Sequence, residues 1–293
     1  MIVTKIRIQE EHVMTDGTKS WPLPYCDLHL TSVAGENGYI LKNSAGIGPP
    51  SFTDVVVGFD KNGIPIMDAL PDKRDITFSI GFRPSSGQSV QQLRSDLYKF
   101  ISKSLIVGFM NGSDTVAQIT GHISTFETEH FSDEPVVKIT IRCHVSDFSA
   151  PLSVDIPLAT LDTLTPNISY KEGDAPTGLD LRFKYIAVED GTGFSISNYG
   201  KFWSKSDPGA VIENEFIVAV TLETDDEITI STGYGNNRIT LLRGSTTYDI
   251  AGYVNAGAVW PKLYNGVNIF TWTFSDTWME WLGASYTPKY WGV

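Results

Sequence analysis

The sequence predicts two structural classes in one chain: an α+β N-terminal domain, an antiparallel sheet with one helix, followed by an all-β sandwich or jelly roll. Three observations carry this. Residues 74–82 and 136–145 alternate apolar and polar side chains with the period of a strand (Ile76, Phe78, Ile80, Phe82; Val137, Ile139, Ile141, Cys143). One stretch, 89–105, repeats its apolar residues at helical spacing instead (Val90, Leu93, Leu97, Phe100/Ile101, Leu105). Beyond residue 178 come closely spaced short strand patterns and no helix signal.

The elements follow in order. Residues 2–8 alternate as a first strand. Residues 21–48 carry Pro22, Pro24, Gly35, Asn37-Gly38, Gly46 and Gly48 around a short apolar Tyr39-Ile40-Leu41, which predicts a long irregular excursion. Strands are expected at 53–59 and 74–82. Ser89 with Gln92 three residues later is a capping-box start for the helix, whose opposite side holds Gln91, Arg94, Asp96, Lys99 and Lys103. Strands resume at 105–109, 116–127 and 136–145, giving a first domain over 1–150. The composition of 151–177, with Pro151, Pro157, Pro166, Gly173 and Pro176, predicts a linker. A second domain over 178–293 has strand candidates at 179–186, 193–197, 215–222, 227–232, 238–243, 246–250 and 267–274, joined in part by hairpin-grade turns at 233–237 and 244–245.

Bulk properties bound the function. Apolar residues make up 41% of the 293, with 12% aromatic, enough to fill real cores. No run approaches the length needed to span a bilayer, and the alternating Met1–Ile8 lacks the apolar core of a secretory leader. The expectation is a soluble protein made in a cytoplasm, with no membrane partner. Cys26 and Cys143 form no Cys-x-x-Cys pair and read as buried small hydrophobes. The net charge is −12 and unevenly spread: residues 1–150 hold 13 Lys/Arg against 17 Asp/Glu, net −4, and residues 151–293 hold 9 against 17, net −8. An acidic surface repels phosphates, which argues against gripping nucleic acid and is compatible with a wall past which it slides.

The residue patterns point to no enzyme, cofactor or metal. His12, His29, His122, His130 and His144 show no ligand spacing, and no nucleophile elbow, Walker loop or dinucleotide fingerprint follows a strand. Gly233-Tyr234-Gly235 lies between strands, with no helix N-terminus to receive phosphate. Glu213 and Glu215 would share a face of a strand, which a glycosidase pair needs and an ordinary acidic sheet also shows. The run Glu223-Thr224-Asp225-Asp226-Glu227 reads as a solvated turn and lacks the spacing of a calcium loop.

Aromatic residues are the exception to this quiet surface. Five of the seven tryptophans (Trp260, Trp272, Trp278, Trp281, Trp291) fall in the last 34 residues, and the chain finishes Tyr286-Thr-Pro-Lys-Tyr290-Trp291-Gly-Val. Such rings fill cores, anchor interfaces or stack on sugars. Pro288 favours an extended end over a helix. Tyr286, Tyr290 and Trp291 are therefore candidates for a subunit or domain interface. Under an alternative reading as a carbohydrate-binding, host-adhesion module, Trp260, Trp278 and Trp281 are the candidate sugar contacts.

Several stretches taken together resemble the distal tail protein (Dit) family of long-tailed siphophages. They are Arg74-Asp75-Ile76-Thr77-Phe78, the helix around Leu93, Arg94 and Leu97, the strand 137–145 leading into Ser146-Asp147-Phe148, and Leu263-Tyr264-Asn265-Gly266-Val267-Asn268-Ile269-Phe270. Where such proteins often have Asp-Pro after the last N-domain strand, this chain has Asp147-Phe148 and delays the proline to Pro151. The resemblance implies a tail-tube-like N-terminal domain with an extended arm at about 21–48, whose Trp21, Tyr25 and Tyr39 become candidates for a subunit or domain interface, and a galectin-like C-terminal sandwich. It implies a virion structural protein: a hexameric ring at the distal end of the tail. Its partners would be the tail tube protein, the tail-tip hub, the tape-measure protein and receptor-binding or side-fibre proteins. DNA would transit without specific binding, and synthesis would be in a bacterial host's cytoplasm.

Overall fold

The structure, a computed structural model, describes residues 2–13, 19–20, 25–30, 38–59, 65–128, 135–161, 167–186, 194–204, 207–233, 236–255, 258, 260–274 and 279–293. Strands dominate it, and helix is scarce. The chain divides into two compact units, residues 1–151 with 290–293, and residues 152–289.

The first unit contains β1 (Lys5–Glu10), β2 (Tyr25–His29), β3 (Gly38–Ala45), β4 (Phe52–Phe59), β5 (Pro65–Pro71), β6 (Asp75–Arg83), α1 (Val90–Tyr98), β7 (Leu105–Asn111), β8 (Asp114–Thr128) and β9 (Val136–Cys143). Seven of these strands pair in the order β9-β6-β3-β2-β1-β7-β8, and β8 returns to β9. The expected antiparallel sheet with one helix is thus a closed barrel, and it includes one parallel pair, β2 with β3, in register Leu28↔Tyr39. Closure is possible because β8 is long: residues 114–121 pair with β7, and residues 121–128 pair with β9 past a bulge between Ile123 and Thr125.

Alternation puts the apolar set inside. Ile8, Leu28, Ile76, Phe78, Ile80, Val107, Phe109, Ile119, Ile139 and Ile141 belong to one buried cluster, with Cys26 and Cys143 among them. The barrel is therefore filled by side chains and is not a pore. Phe82, expected on the same face, is only half-buried and meets Tyr39 edge-on at 6.0 Å.

Helix α1 begins as its sequence asks. The Ser89 hydroxyl accepts from the Gln92 N–H, and the Gln92 side chain accepts from the Ser89 N–H. Leu93 and Leu97 face inward. The helix ends at Tyr98, short of the periodic pattern. There the N–H groups of Lys99, Phe100 and Ile101 bond three residues back, and Ser102 takes a left-handed φ of 68°. Phe100 still reaches the core, while Leu105 belongs to β7.

Residues 21–48, expected as an arm, supply β2 and β3 where they are described. Strands β4 and β5 stand outside the barrel sheet and pair only with each other, as do the short stretches His12–Val13 and Lys19–Ser20. Asp72 clamps the base of the β4–β5 ribbon, accepting from the Ser51 and Thr53 hydroxyls at 2.7 and 2.6 Å. These two bonds hold its carboxyl below the ordinary value.

The second unit contains β10 (Asn167–Tyr170), β11 (Asp180–Tyr185), β12 (Phe194–Ser204), β13 (Asp207–Val218), β14 (Glu227–Gly233), β15 (Asn236–Arg243), β16 (Thr246–Asp249), β17 (Gly266–Phe274) and β18 (Met279–Tyr286). One sheet runs from a short strand at Val154–Asp155 through β18-β11-β14-β15-β16, and another runs β10-β17-β12-β13. Leu181, Phe183, Ile228, Ile230, Ile239 and Leu241 from the first share a buried cluster with Ile168, Tyr170, Phe216, Val218 and Phe270 from the second. Two sheets on one core make a sandwich. The stretch expected as a linker carries β10, the short strand at Val154–Asp155 and a four-residue helix, Leu158–Leu161, whose Leu161 is buried in the same cluster. β18 did not stand out in the sequence, because Gly283 interrupts its alternation.

Candidate functional site

No constellation in the described residues resembles a reaction centre, so the candidate features are anchors and surfaces. The strongest anchor is Arg74, at the head of β6 and only 4% exposed. Its Nε donates to Ser146 O at 2.8 Å, Nη1 to Gly46 O and Gly48 O at 2.7 and 2.5 Å, and Nη2 to Trp291 O at 2.6 Å. The guanidinium also lies over the Phe148 ring, 4.4 Å from its centroid. Burial lowers its pKa. A rigid five-donor fork is what allows one side chain to bind carbonyls from three separate stretches of chain.

Those carbonyls explain the aromatic end of the sequence. Residues 290–293 belong to the first unit. Trp291 meets Phe52 edge-on at 5.3 Å, and the Val293 N–H donates to Ile47 O at 3.2 Å. Gly292 approaches the backbone of Ile47, Gly48 and Pro49 so closely that a Cβ would sit 3.3 Å from all three. Residues 286–289 are fixed within the second unit. The Tyr170 hydroxyl donates to Ala175 O at 2.9 Å and accepts from the Lys289 N–H at 2.9 Å, and Thr177 Oγ1 donates to Thr287 O. Tyr286 is buried, and its hydroxyl donates to Glu172 Oε2 at 2.7 Å. Trp291 thus packs on its own chain.

The other expected interface residues separate. Trp21 lies outside the described residues. Tyr25 is 44% exposed on β2, with the Arg7 guanidinium 4.0 Å from its ring centroid. Arg7 and Lys5 also clasp Asp27, through bonds of 2.7 to 2.9 Å. Tyr39 is half-buried and donates its hydroxyl to Leu93 O at 3.0 Å, tying β3 to α1. Tyr25, Asp27, His29, Tyr39, Asp96 and Lys99 line a cleft of about 500 Å³ beside the helix.

Among the tryptophans offered as sugar contacts, Trp281 is 7% exposed and packs edge-on against Phe183, so it presents no ring face to a ligand. Trp260 is half-buried against Phe216 at 4.9 Å, and Trp278 lies outside the described residues. The acidic turn differs from its expectation. Asp226 is 1% exposed and accepts from Arg243 Nε and Nη2 at 2.9 and 2.7 Å, while Glu223 takes Nη1 at 2.6 Å. The bond to Asp226 raises the Arg243 pKa. Among the described residues, no three His, Cys, Asp or Glu side chains gather where one metal ion could be held.

The run 263–270 does not disclose from its sequence alone why an asparagine stands at 268. Asn268, 1% exposed, accepts from the Tyr264 N–H and donates back to Tyr264 O, both at 2.8 Å, closing a turn in which Gly266 has φ 110°. An amide side chain is needed because it must both donate and accept.

Neither a family model nor a curated protein sequence matches this chain. Solved structures do. The Dit (gp 19.1) protein of SPP1, described as a paradigm of the hub adsorption apparatus of phages infecting Gram-positive bacteria, aligns over 97% of this chain and 98% of its own, with a TM-score of 0.56 at 11% identity. Chains of the phage P2 baseplate, in its activated conformation with Ca and with Sr, align over 99% and 97% of this chain and 98% and 97% of their own. Their TM-scores are 0.43 and 0.42, at 12% identity. The likeness in fold rests on the first of these.

Proposed function

We propose that the protein is a structural component of a phage tail tip: a hexameric ring at the distal end of the tail that joins the tube to the hub. The observation that carries this is the correspondence with SPP1 Dit across both units in one alignment. In this reading the first unit closes the ring, and the second, galectin-like, projects as the platform for receptor-binding or side-fibre proteins.

The physical chemistry supports the assignment of parts. A barrel packed with Phe78, Phe109 and Ile141 cannot conduct anything, so a DNA channel must lie between copies and be lined by outer faces. Asp75, Asp114 and Glu127 are among the exposed side chains of the first unit, and carboxylates at such a wall let DNA pass without holding it. Cyclic closure of identical contacts leaves no unsatisfied interface.

The test is the mass and shape of the purified protein, by light scattering and negative-stain microscopy, alone and with its tube and hub proteins. A six-fold ring with an open centre is expected. A protein that remains monomeric in every mixture sinks the reading.

A further inference from the structure

We propose that the second unit binds a neutral, monosaccharide-sized sugar in the cleft between β15, β16 and the turn that follows. The cavity is about 290 Å³, at the small end of ligand sites. Its floor is apolar, with Leu241 and Ile250 each 3% exposed. Its walls include two large rings that the fold leaves in water: Tyr248, 48% exposed, and Tyr253, 55% exposed.

Polar groups converge on the same space with capacity to spare. Arg243 spends four of its five N–H groups on Asp226 (two), Glu223 and Thr221 O, which locks the guanidinium and leaves one donor on Nη1. Asp249 accepts the Ala251 N–H with Oδ1, and its carboxylate retains further acceptor capacity through Oδ2. A donor, an acceptor and two tyrosine rings beside an apolar floor are the groups that the alternating hydroxyls and C–H faces of a pyranose call for.

Charge selects the class of sugar. The single cation in the cleft is already paired with Glu223 and Asp226, and the unit's surroundings are acidic, so phosphorylated or carboxylated glycans are disfavoured. Neither Trp260 nor Trp281 lines this cleft, and the site does not depend on the ring: sugar binding and ring formation are read by different measurements.

Saturation-transfer NMR on the full chain, with glucose, galactose, rhamnose and N-acetylglucosamine each at millimolar concentration, tests the proposal. Transfer to at least one sugar is expected, falling at least tenfold in Tyr248→Ala and in Tyr253→Ala. It should be unchanged in Tyr25→Ala, an exposed tyrosine of the other unit. Both cleft tyrosines are surface residues, and an unaltered thermal melt confirms that each variant folds. Absence of transfer to all four sugars overturns the proposal. So does transfer that survives the Tyr248→Ala/Tyr253→Ala double variant.

Discussion

Seven strands of the first unit close on one another, whereas the two main sheets of the second unit stay open, with β16 and β13 each at one end. Closure removes free edges, so the barrel has little backbone left to offer a neighbour. What the closed sheet turns outward is side chains. The sandwich handles its edges differently. All four residues of β16 are exposed, and Thr246, Thr247 and Asp249 are polar there. The end of β13 is covered by the stretch that follows β16, through Ala219 N–H to Tyr253 O and a reciprocal pair between Ile217 and Asn255.

Chemistry separates the two units experimentally. Both cysteines lie in the barrel core, and five of the seven tryptophans lie in residues 152–289. Burial pushes the Cys143 thiol up to about 12 and the Cys26 thiol well above its usual value. Thiol labelling therefore reports opening of the barrel alone. Tryptophan fluorescence reports mostly the sandwich.

The largest effect is expected from Arg74→Met, which orphans carbonyls of Ser146, Gly46, Gly48 and Trp291 together. A loss of about 3 kcal/mol or more should follow. Labelling of Cys26 and Cys143 should then accelerate on the order of 100-fold. An unchanged labelling rate would show that the barrel does not depend on this anchor. Tyr170→Phe is the counterpart in the sandwich. It removes the acceptor of the Lys289 N–H and the donor to Ala175 O, for about 1–2 kcal/mol. The urea midpoint by tryptophan fluorescence should fall while thiol labelling stays as in the parent; acceleration of both would mean that the units are not independent.

The smallest effect concerns acid. Burial raises the Asp27 carboxyl, but hydrogen bonds from Arg7 and Lys5 and their charges outweigh it, and the net shift is downward. A carboxyl more acidic when folded adds stability that is fully present above its unfolded value of about 4 and is lost as the pH falls through the lower folded value. Asp27→Asn should therefore flatten the loss of thermal stability below about pH 4. Melts of parent and variant that decline in parallel would remove Asp27 as a contributor.

How much of this was legible follows from range. The alternation of Val137, Ile139 and Ile141, the capping box at Ser89 and the turn signals of the sandwich are local patterns, and the structure holds a strand, a helix start and hairpins at those places. The strand β5 was missed because prolines bound it at 65 and 71, and β18 because its face is interrupted by Gly283. The site residues were harder. Trp291 was recognisable as an anchor by its size, but Arg74 was not recognisable as its partner, because backbone carbonyls occur at every position and carry no sequence signal.

The sequence by itself determined the strongly alternating strands, where the helix starts and which apolar face turns inward, since period and capping are written in near neighbours. Only the tertiary structure decided that the first sheet closes into a barrel, that β2 and β3 run parallel, and that the final residues divide between the two units. Those outcomes depend on pairings between segments up to 217 positions apart, as between Arg74 and Trp291. Register and closure are settled by the shared core and the hydrogen-bond needs of the whole chain, not by any one segment.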